Sequence, residues 1–452
     1  MKRRLFSLAI ALVALLSTAL SPATASAAPA QTGTVGGVAF AAYVIVPPGA
    51  PIAGIGPLFP TSLGCVITNR TAEASAASAS LGLIGNVGAL DDKVTATISP
   101  SAQSVQSVSD VAGISLLAGL IQATEIKSVA NTTGSTFIAT SNANGTVFTN
   151  LKVAGIPILF TPAANTRINL LGIGSVTLNE QLFNPIAGRN KSSATVVGID
   201  IHVSVPLNVL GIPVGTRILV SYANSSFDRL ASPVTVSGDA YSLYALALNG
   251  GVTSGPWSLV FQPSCSGGTN TVSVLLVTVP GVVTAGTMTD TISGSITSQG
   301  GTETGTSTIQ GVNLLGGVIT ADAVTGTASA TFPSSGTTGT TSASTTLANL
   351  EIGGISISAN PGPNTIVNVP GFGFVIINEQ YNINTSGKAE IQMHGLDIFI
   401  TVPGNVLNIP VGAQIIITSV DAFVDPLSTS GSAPSHSPVA PARDQVKAQL
   451  HI

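Results

Sequence analysis

Polar and apolar positions alternate over short stretches of this chain, and helical periods are rare. Residues 199–205 read Ile-Asp-Ile-His-Val-Ser-Val, so that every second residue is apolar. An alternation of period two is typical of a strand with one face on a core and the other in solvent. Gly, Pro and Asn recur between such stretches, as turns require. Only residues 113–129 have a pattern that a helix could also produce. The pattern therefore predicts an all-β protein.

A longer pattern shows that the chain repeats itself. Residues 151–181 and 350–380 align without a gap, and 14 of their 31 positions are identical. The likeness extends upstream and downstream, and its period of about 200 residues far exceeds the ~20–50 residues of a solenoid unit. Each copy is long enough to have its own core. We predict two tandem, homologous β domains at 28–228 and 229–425, each sandwich-like or barrel-like.

The repeat contains a predicted hairpin in each copy. Two short apolar stretches, 151–153 and 156–158, flank Ala154-Gly155, and the second copy places Gly353-Gly354 at the same point. A two-residue hairpin turn needs positive φ at both residues, which glycine adopts without strain. Asn165-Thr166 and Asn364-Thr365 are predicted to bond a turn through their side chains.

The two ends of the chain differ in composition from the predicted β domains. Residues 1–27 combine a basic start, an apolar run and a small-x-small sequence, Ala25-Ser26-Ala27, which predicts a signal peptide cleaved after Ala27. Residues 426–452 are rich in Pro and Ser and predict a disordered tail. The tail has no sortase-type LPxTG sequence, so we expect release into the medium or non-covalent retention in the cell wall.

Composition makes nucleic acid an unfavourable partner. Charged residues are 8% of the chain, against about 25% in an average soluble domain. Hydroxyl and amide groups are therefore expected to form most of the surface. Removal of Lys2, Arg3 and Arg4 with the leader leaves 12 basic and 19 acidic residues, a net charge of −7. Nucleic acid is a poor candidate partner for such a chain. No later stretch is apolar and long enough to predict a transmembrane segment in the mature chain.

An ordered set of sequences resembles a known family. LLGGVITADAV, ANLEIGGISI, PNTIVNVPGFGFVIINEQ and GLDIFITVPGNVL occur in this order in the second copy, and the first copy contains looser versions. The set resembles the choice-of-anchor P family of exported actinobacterial and related proteins. The resemblance implies a secreted or cell-surface protein of unassigned biochemical function, whose relatives end in different anchoring tails. It implies no catalytic residues.

The two cysteines occupy matching places. Cys65 follows Gly56-Pro57 and Cys265 follows Gly255-Pro256, so each copy contains one. Both a bridge between the domains and two separately buried thiols are open. An even cysteine count in an exported protein favours pairing, and pairing requires the two Cα atoms to lie within ~7 Å.

Polar residues recur at the predicted ends of strands. In the first copy these are Asn179, Glu180 and Gln181, followed by Asp200 in the next strand; in the second they are Asn378, Glu379, Gln380 and Asp397. Paired carboxylates could perform acid/base chemistry or bind calcium. We favour a structural role, in which these side chains bond backbone amides of the adjoining loop. No catalytic residue, cofactor or metal ligand is therefore assigned.

Histidine gives little support for an enzyme, because His202 corresponds to Phe399 and His394 to Val197. No G-x-S-x-G, P-loop, H-E-x-x-H or EF-hand sequence occurs. The sequence favours a non-catalytic structural or interaction protein, secreted or attached to the cell envelope, with envelope components or surface proteins as partners. The alternatives are a glycan- or cell-wall-binding module and an extracellular hydrolase that uses the repeated carboxylates.

Overall fold

Antiparallel strands make up nearly all of the fold, which confirms the predicted all-β class. A computed structural model describes residues 33–47, 55–99, 101–135, 138–184, 191–229, 234–246, 254–262, 267–279, 281–334, 338–385 and 388–426. The predicted signal peptide, residues 427–452 and residues 230–233, which follow the predicted domain boundary, lie outside these ranges. Pro426, the first residue of the predicted tail, instead ends the last strand and pairs with Val234.

The first half, residues 34–228, contains seventeen described strands and one 3₁₀ turn at Gly82–Ile84. The strands are β1 Thr34–Ile45, β2 Ile55–Leu58, β3 Thr61–Val66, β4 Arg70–Ala76, β5 Ala79–Ser80, β6 Gly85–Val87, β7 Leu90–Ile98, β8 Gln103–Leu116, β9 Ile121–Gly134, β10 Ala139–Asn142, β11 Val147–Thr149, β12 Leu151–Val153, β13 Ile156–Ile158, β14 Thr166–Leu170, β15 Gly174–Phe183, β16 Lys191–Val203 and β17 Arg217–Asp228.

The second half, residues 234–426, contains sixteen described strands and a 3₁₀ turn at Leu315–Gly317. The strands are β18 Val234–Leu246, β19 Ser254–Trp257, β20 Val260–Phe261, β21 Gly267–Val274, β22 Val277–Val279, β23 Val283–Ala285, β24 Met288–Thr297, β25 Gly300–Leu314, β26 Ile319–Pro333, β27 Thr340–Ala348, β28 Glu351–Ile352, β29 Ile355–Ser356, β30 Thr365–Val369, β31 Gly373–Thr385, β32 Lys388–Ile400 and β33 Gln414–Pro426.

Each half pairs its strands into two sheets. The seven-stranded sheet of the first half has the order β14-β15-β16-β17-β1-β2, with β3 also on β1, and that of the second half has the order β30-β31-β32-β33-β18-β19, with β20 on β18. A ten-stranded sheet in the first half and a nine-stranded sheet in the second face these. The first and last strands of each half therefore lie side by side.

The core of each half lies between its two sheets. In the first half, Val176 and Ile199 of the seven-stranded sheet belong to one buried cluster with Val111 and Ile126 of the ten-stranded sheet. The second half has a corresponding cluster, with Val375, Leu396, Ile309 and Val324 among its members. These sandwiches supply the burial that the alternating pattern predicts.

The same backbone irregularities occur at equivalent positions of the two halves. Asn179 has φ 51° and Asn378 has φ 53°, and each is passed over in the pairing of its strand with the next. Ser221 and Thr418 repeat this behaviour in β17 and β33, with φ 59° and 54°. The tandem duplication and its domain boundaries stay predictions, and these coincidences support them.

Residues 113–129, where the sequence could also fit a helix, instead form the end of β8, a tight turn and most of β9. Leu117, Ala118 and Gly119 have φ of 53°, 55° and 84° in that turn. Residues at positive φ cannot continue a right-handed helix. The equivalent residues Leu315, Gly316 and Gly317 behave in the same way.

Hydroxyl groups form ladders across the nine-stranded sheet. Thr304 and Ser329 lie 2.9 Å apart across β25 and β26, and Thr271 and Thr291 lie 3.0 Å apart across β21 and β24. Cross-strand pairs of this kind stabilise a sheet without charge. The ladders explain how the chain forms a polar surface with few charged residues.

Both predicted hairpin turns are confirmed. Ala154-Gly155 joins β12 to β13 with φ of 51° and 77°, and Gly353-Gly354 joins β28 to β29 with φ of 58° and 79°. A Cβ on Gly354 would meet no atom within 4 Å, so only the backbone conformation restricts this position.

We expect Gly354→Val to lower the free energy of unfolding by about 1–2 kcal/mol, because a β-branched residue resists positive φ. Gly362→Val is the matched control, because its added Cβ would meet nothing closer than 3.9 Å and its φ lies outside the strained range. Urea unfolding checks both variants. Equal losses in the two would show that the turn imposes no conformational demand.

Candidate functional site

The asparagine and glutamine residues that recur in both copies form hydrogen bonds with a loop, as the sequence predicts. Asn179 donates from Nδ2 to the carbonyl of Pro162 at 2.8 Å, and the backbone N–H of Gln181 donates to Oδ1 of Asn165 at 2.8 Å. In the second half, Asn378 and Gln380 make the corresponding bonds to Pro361 and Asn364, at 3.0 and 2.9 Å, respectively. These side chains hold the loop that precedes β14 or β30 against the neighbouring strand.

The predicted position of these residues at strand ends is wrong. Asn179, Glu180 and Gln181 lie inside β15, and Asn378, Glu379 and Gln380 lie inside β31. The positive φ of Asn179 and Asn378 lets each strand continue past an unpaired residue. One residue is also unpaired on the neighbouring strand, so the register is unchanged, and the following glutamate faces the aspartate of that strand.

In the first half, one guanidinium pairs with both carboxylates. Arg217 of β17 donates from Nε and from an Nη atom to the two oxygens of Asp200, at 2.9 and 2.8 Å. The same guanidinium lies 3.6 Å from Glu180, and the ring of His202 reaches Asp200 at 3.0 Å. Burial would raise the pKa of Asp200, but the bonds from Arg217 outweigh it and lower that pKa.

In the second half, an imidazole takes the place of the guanidinium. His394 Nδ1 lies 2.8 Å from Glu379 and 3.7 Å from Asp397, and Gln414 donates to both oxygens of Asp397 at 2.9 Å. Asp397 is 0% exposed and His394 is 4% exposed. Burial would lower the pKa of His394, but bonds to Asp397 and Glu379 outweigh it and raise that pKa to about 10. The imidazole is therefore a cation at neutral pH.

The cation lies on different strands in the two halves, on β17 in the first and on β32 in the second. Gln414 stands where the first half has Arg217, and His394 stands where it has Val197. Both arrangements place one cation against one Glu and one Asp. The sequence predicts all four carboxylates as a repeated set, but not Arg217, His394 and Gln414 as their partners. The signal that could have identified them is the paired change, in which one copy loses a cation and gains another on the neighbouring strand.

The second cluster also has the composition of a metal site. Glu379, His394 and Asp397 offer ligand atoms that all lie within 4.8 Å of one another. A metal would have to displace the proton that His394 carries. Since the first half fills the equivalent place with Arg217, we interpret both clusters as internal ion pairs.

The carboxylates do not have the structural role that the sequence suggested. They bind cationic side chains rather than backbone amides of the loop. Asp200 and Asp397 are almost completely buried, while Glu180 and Glu379 are partly accessible at 34% and 17% of their side-chain area.

Cys65 is the fifth of the six residues of β3 and is disulfide-bonded. Cys265, the other cysteine of the chain, lies outside the described residues. The predicted bridge between them stays a prediction.

Exposed apolar side chains gather on loops at one end of each seven-stranded sheet. In the first half, residues 204–216 follow β16, and their backbone bonds to the carbonyl of Ile173 in the β14–β15 turn. Leu171, Leu207 and Val209 are 95%, 102% and 91% exposed there. In the second half, residues 401–413 bond to Phe372 in the same way, and Val406 is 84% exposed. We call 204–216 and 401–413 the apolar loops.

An internal asparagine fixes the shape of each apolar loop. Asn208 donates to the carbonyl of Ile212 at 2.6 Å and accepts from its N–H at 3.1 Å. Asn405 makes the same pair of bonds to Ile409 at 2.7 and 3.0 Å. Neither loop contains a charged or aromatic residue.

Comparison with known proteins gives no assignment, since no protein-family model and no curated protein matches the chain. The described residues contain no helix long and apolar enough to cross a membrane.

Proposed function

We propose that this protein is a secreted or cell-envelope-associated protein without catalytic activity, which acts by binding an apolar surface of another envelope component or surface protein. The observation that carries the proposal is the exposure of large apolar side chains on the two apolar loops. Clustered apolar exposure is typical of interaction sites. Burial of one leucine or valine against a partner contributes roughly 1.5–3 kcal/mol.

The loops are suited to binding because they keep their shape. Hydrogen bonds from Asn208 and Asn405 hold them in place, so that a partner would order little additional backbone. The lack of aromatic side chains favours an apolar partner over a polysaccharide, which aromatic faces usually bind.

The ion-pair clusters support a role without catalysis. Each carboxylate that a hydrolase would need already faces a cation of the chain itself. An acid or base that must first break a buried ion pair is poorly placed for proton transfer. The hydrolase alternative consequently receives less support than binding.

Two observations support an extracytoplasmic location. Residues 1–27 have the composition of a signal peptide. Cys65 is disulfide-bonded, and disulfides persist mainly in oxidising compartments.

Fractionation of a Sec-competent bacterial culture that expresses the full chain tests the proposal. We expect the protein, starting at Ala28, in the wall and medium fractions, and a leaderless variant in the cytosol. The triple variant L171S/L207S/V209S is expected to move from the wall fraction to the medium, because it removes the apolar contact.

The control is Ile138→Ser with Val147→Ser, which replaces exposed apolar residues just before β10 and at the start of β11, away from the apolar loops. Recovery of the full chain only from cytosol would refute the location. Unchanged wall retention of the triple variant would refute binding through the loops.

A further inference from the structure

A cavity of about 180 Å³ lies between the two halves, beside β1 and β3 of the first and β18 and β20 of the second. Residues at equivalent positions of the two halves line it together. The pairs are Val38 with Asp239, Ser62 with Phe261, and Leu63 with Gln262. At roughly 30 Å³ per water molecule, the space would hold about six waters or one small polar molecule.

Among the described residues, the lining includes many polar groups and no cation. Serines, glycine backbone, Asn224 and Gln262 contribute hydrogen-bonding groups, and none of the described lining residues is Lys, Arg or His. An anionic ligand would therefore have no countercharge. A molecule that donates hydrogen bonds fits this lining better.

Asp239 is the group that gives the cavity a chemical preference. It is 3% exposed, and within the described part of the chain its Oδ1 makes no hydrogen bond. Burial raises the pKa of Asp239 to about 7. A buried carboxyl oxygen without a partner costs free energy that a ligand hydroxyl could recover by donating to it.

The remaining wall supplies an apolar surface. The ring of Phe261 and the side chain of Val38 line the same cavity as Asp239. A carboxyl group beside an aromatic ring suits a molecule with hydroxyls along its edge and C–H groups on its face. We propose that this cavity binds one uncharged, hydroxyl-rich molecule of the size of a single sugar unit, with Asp239 accepting its hydroxyl hydrogen bonds.

Binding in this cavity is independent of the apolar loops. The cavity lies beside residues 36–38 of β1, whereas the loop 204–216 meets the chain beyond the other end of that strand, where Gly215 approaches Pro47. Failure of one proposal therefore leaves the other unaffected.

Ligand-detected NMR and calorimetry on the full chain test the site with glucose, galactose, mannose, arabinose, N-acetylglucosamine and glycerol. We expect at least one sugar to bind with Kd on the order of 1 mM. Asp239→Val is expected to weaken that binding by at least about tenfold. This variant should fold, because valine occupies the equivalent position 38.

Asp322→Asn, at an exposed site on β26, is the control and should bind as the wild type does. Absence of binding by the wild type to every probe overturns the proposal, and so does binding that D239V leaves unchanged. A parallel titration with Ca²⁺ separates a cation site from a sugar site. Binding of Ca²⁺ alone, sensitive to D239V, would also overturn it.

Discussion

Replacement of His394 by valine is expected to lower the free energy of unfolding of the second half by about 3–5 kcal/mol near pH 7, above the value of about 6 to which burial raises the pKa of Asp397. The change leaves Glu379 and Asp397 without their cation, and Asp397 is completely buried. Removal of one partner of a buried ion pair usually costs this much, because the remaining charge stays desolvated. Urea unfolding followed by the fluorescence of Trp257 measures the effect, since this buried residue is the chain's one tryptophan and lies in the second half.

The first half shows how the loss should be reversed. Adding Gln414→Arg to His394→Val gives the second half the residues that the first half has at the equivalent positions, Val197 and Arg217. A guanidinium at position 414 would reach the aspartate as Arg217 does. We expect the double variant H394V/Q414R to recover most of the lost stability. His202→Ala is the control, because the His202 side chain is 52% exposed and Arg217 still pairs with Asp200.

The pH dependence of this effect has a defined sign. The pKa of His394 is about 10 in the folded chain and about 6.5 when unfolded. A raised pKa means that the folded state binds the extra proton, so this stabilisation is complete below about pH 6.5 and is lost by about pH 10. The difference between wild type and H394V should therefore close as the pH rises to 10. A constant difference, or no recovery in H394V/Q414R, would contradict the ion-pair interpretation.

The strands and hairpins could be predicted because their signals are local. The alternation at residues 199–205 and the Gly353-Gly354 turn each depend on a few neighbouring residues. The apparent helical pattern at 113–129 was misleading for the same reason. Leu117 and Ala118 adopt positive φ in a turn. Neither residue type favours positive φ, so the sequence does not predict this turn.

The ion-pair clusters could be predicted only in part because they depend on the register of three strands. Glu379 pairs with His394 across β31 and β32, while Asp397 lies beside Ile416 of β33, two residues from Gln414. A single-residue shift in either pairing would turn these side chains to the opposite face. The pairing continues in the same register on both sides of the unpaired residues Asn378 and Gly395. Repetition identifies the carboxylates in the sequence, whereas His394 is not repeated and carries no such signal.

Replacement of Glu303 by methionine is expected to stabilise the second half, and more so at high pH. Glu303 lies within β25, is 0% exposed, and neither of its carboxyl oxygens has a hydrogen-bond partner among the described residues. An unsatisfied buried polar group costs about 1–3 kcal/mol, and methionine has a similar shape without polar oxygen atoms. At pH 5 we expect a gain of roughly 1 kcal/mol, since the carboxyl is then neutral in the folded chain.

At pH 9 the gain from Glu303→Met should reach about 3 kcal/mol or more. Burial raises the pKa of Glu303 to about 9 in the folded chain, against about 4.3 when unfolded. Between these values the unfolded chain releases the proton and the folded chain keeps it, so the wild type loses stability as the pH rises. Methionine does not titrate, and its advantage must grow over this range. Glu351→Met, at an exposed position of β28, should change stability little at either pH. If E303M unfolds at the wild-type urea concentration at pH 9, Glu303 has a partner that neutralises its charge, and the carboxyl is not an isolated buried acid.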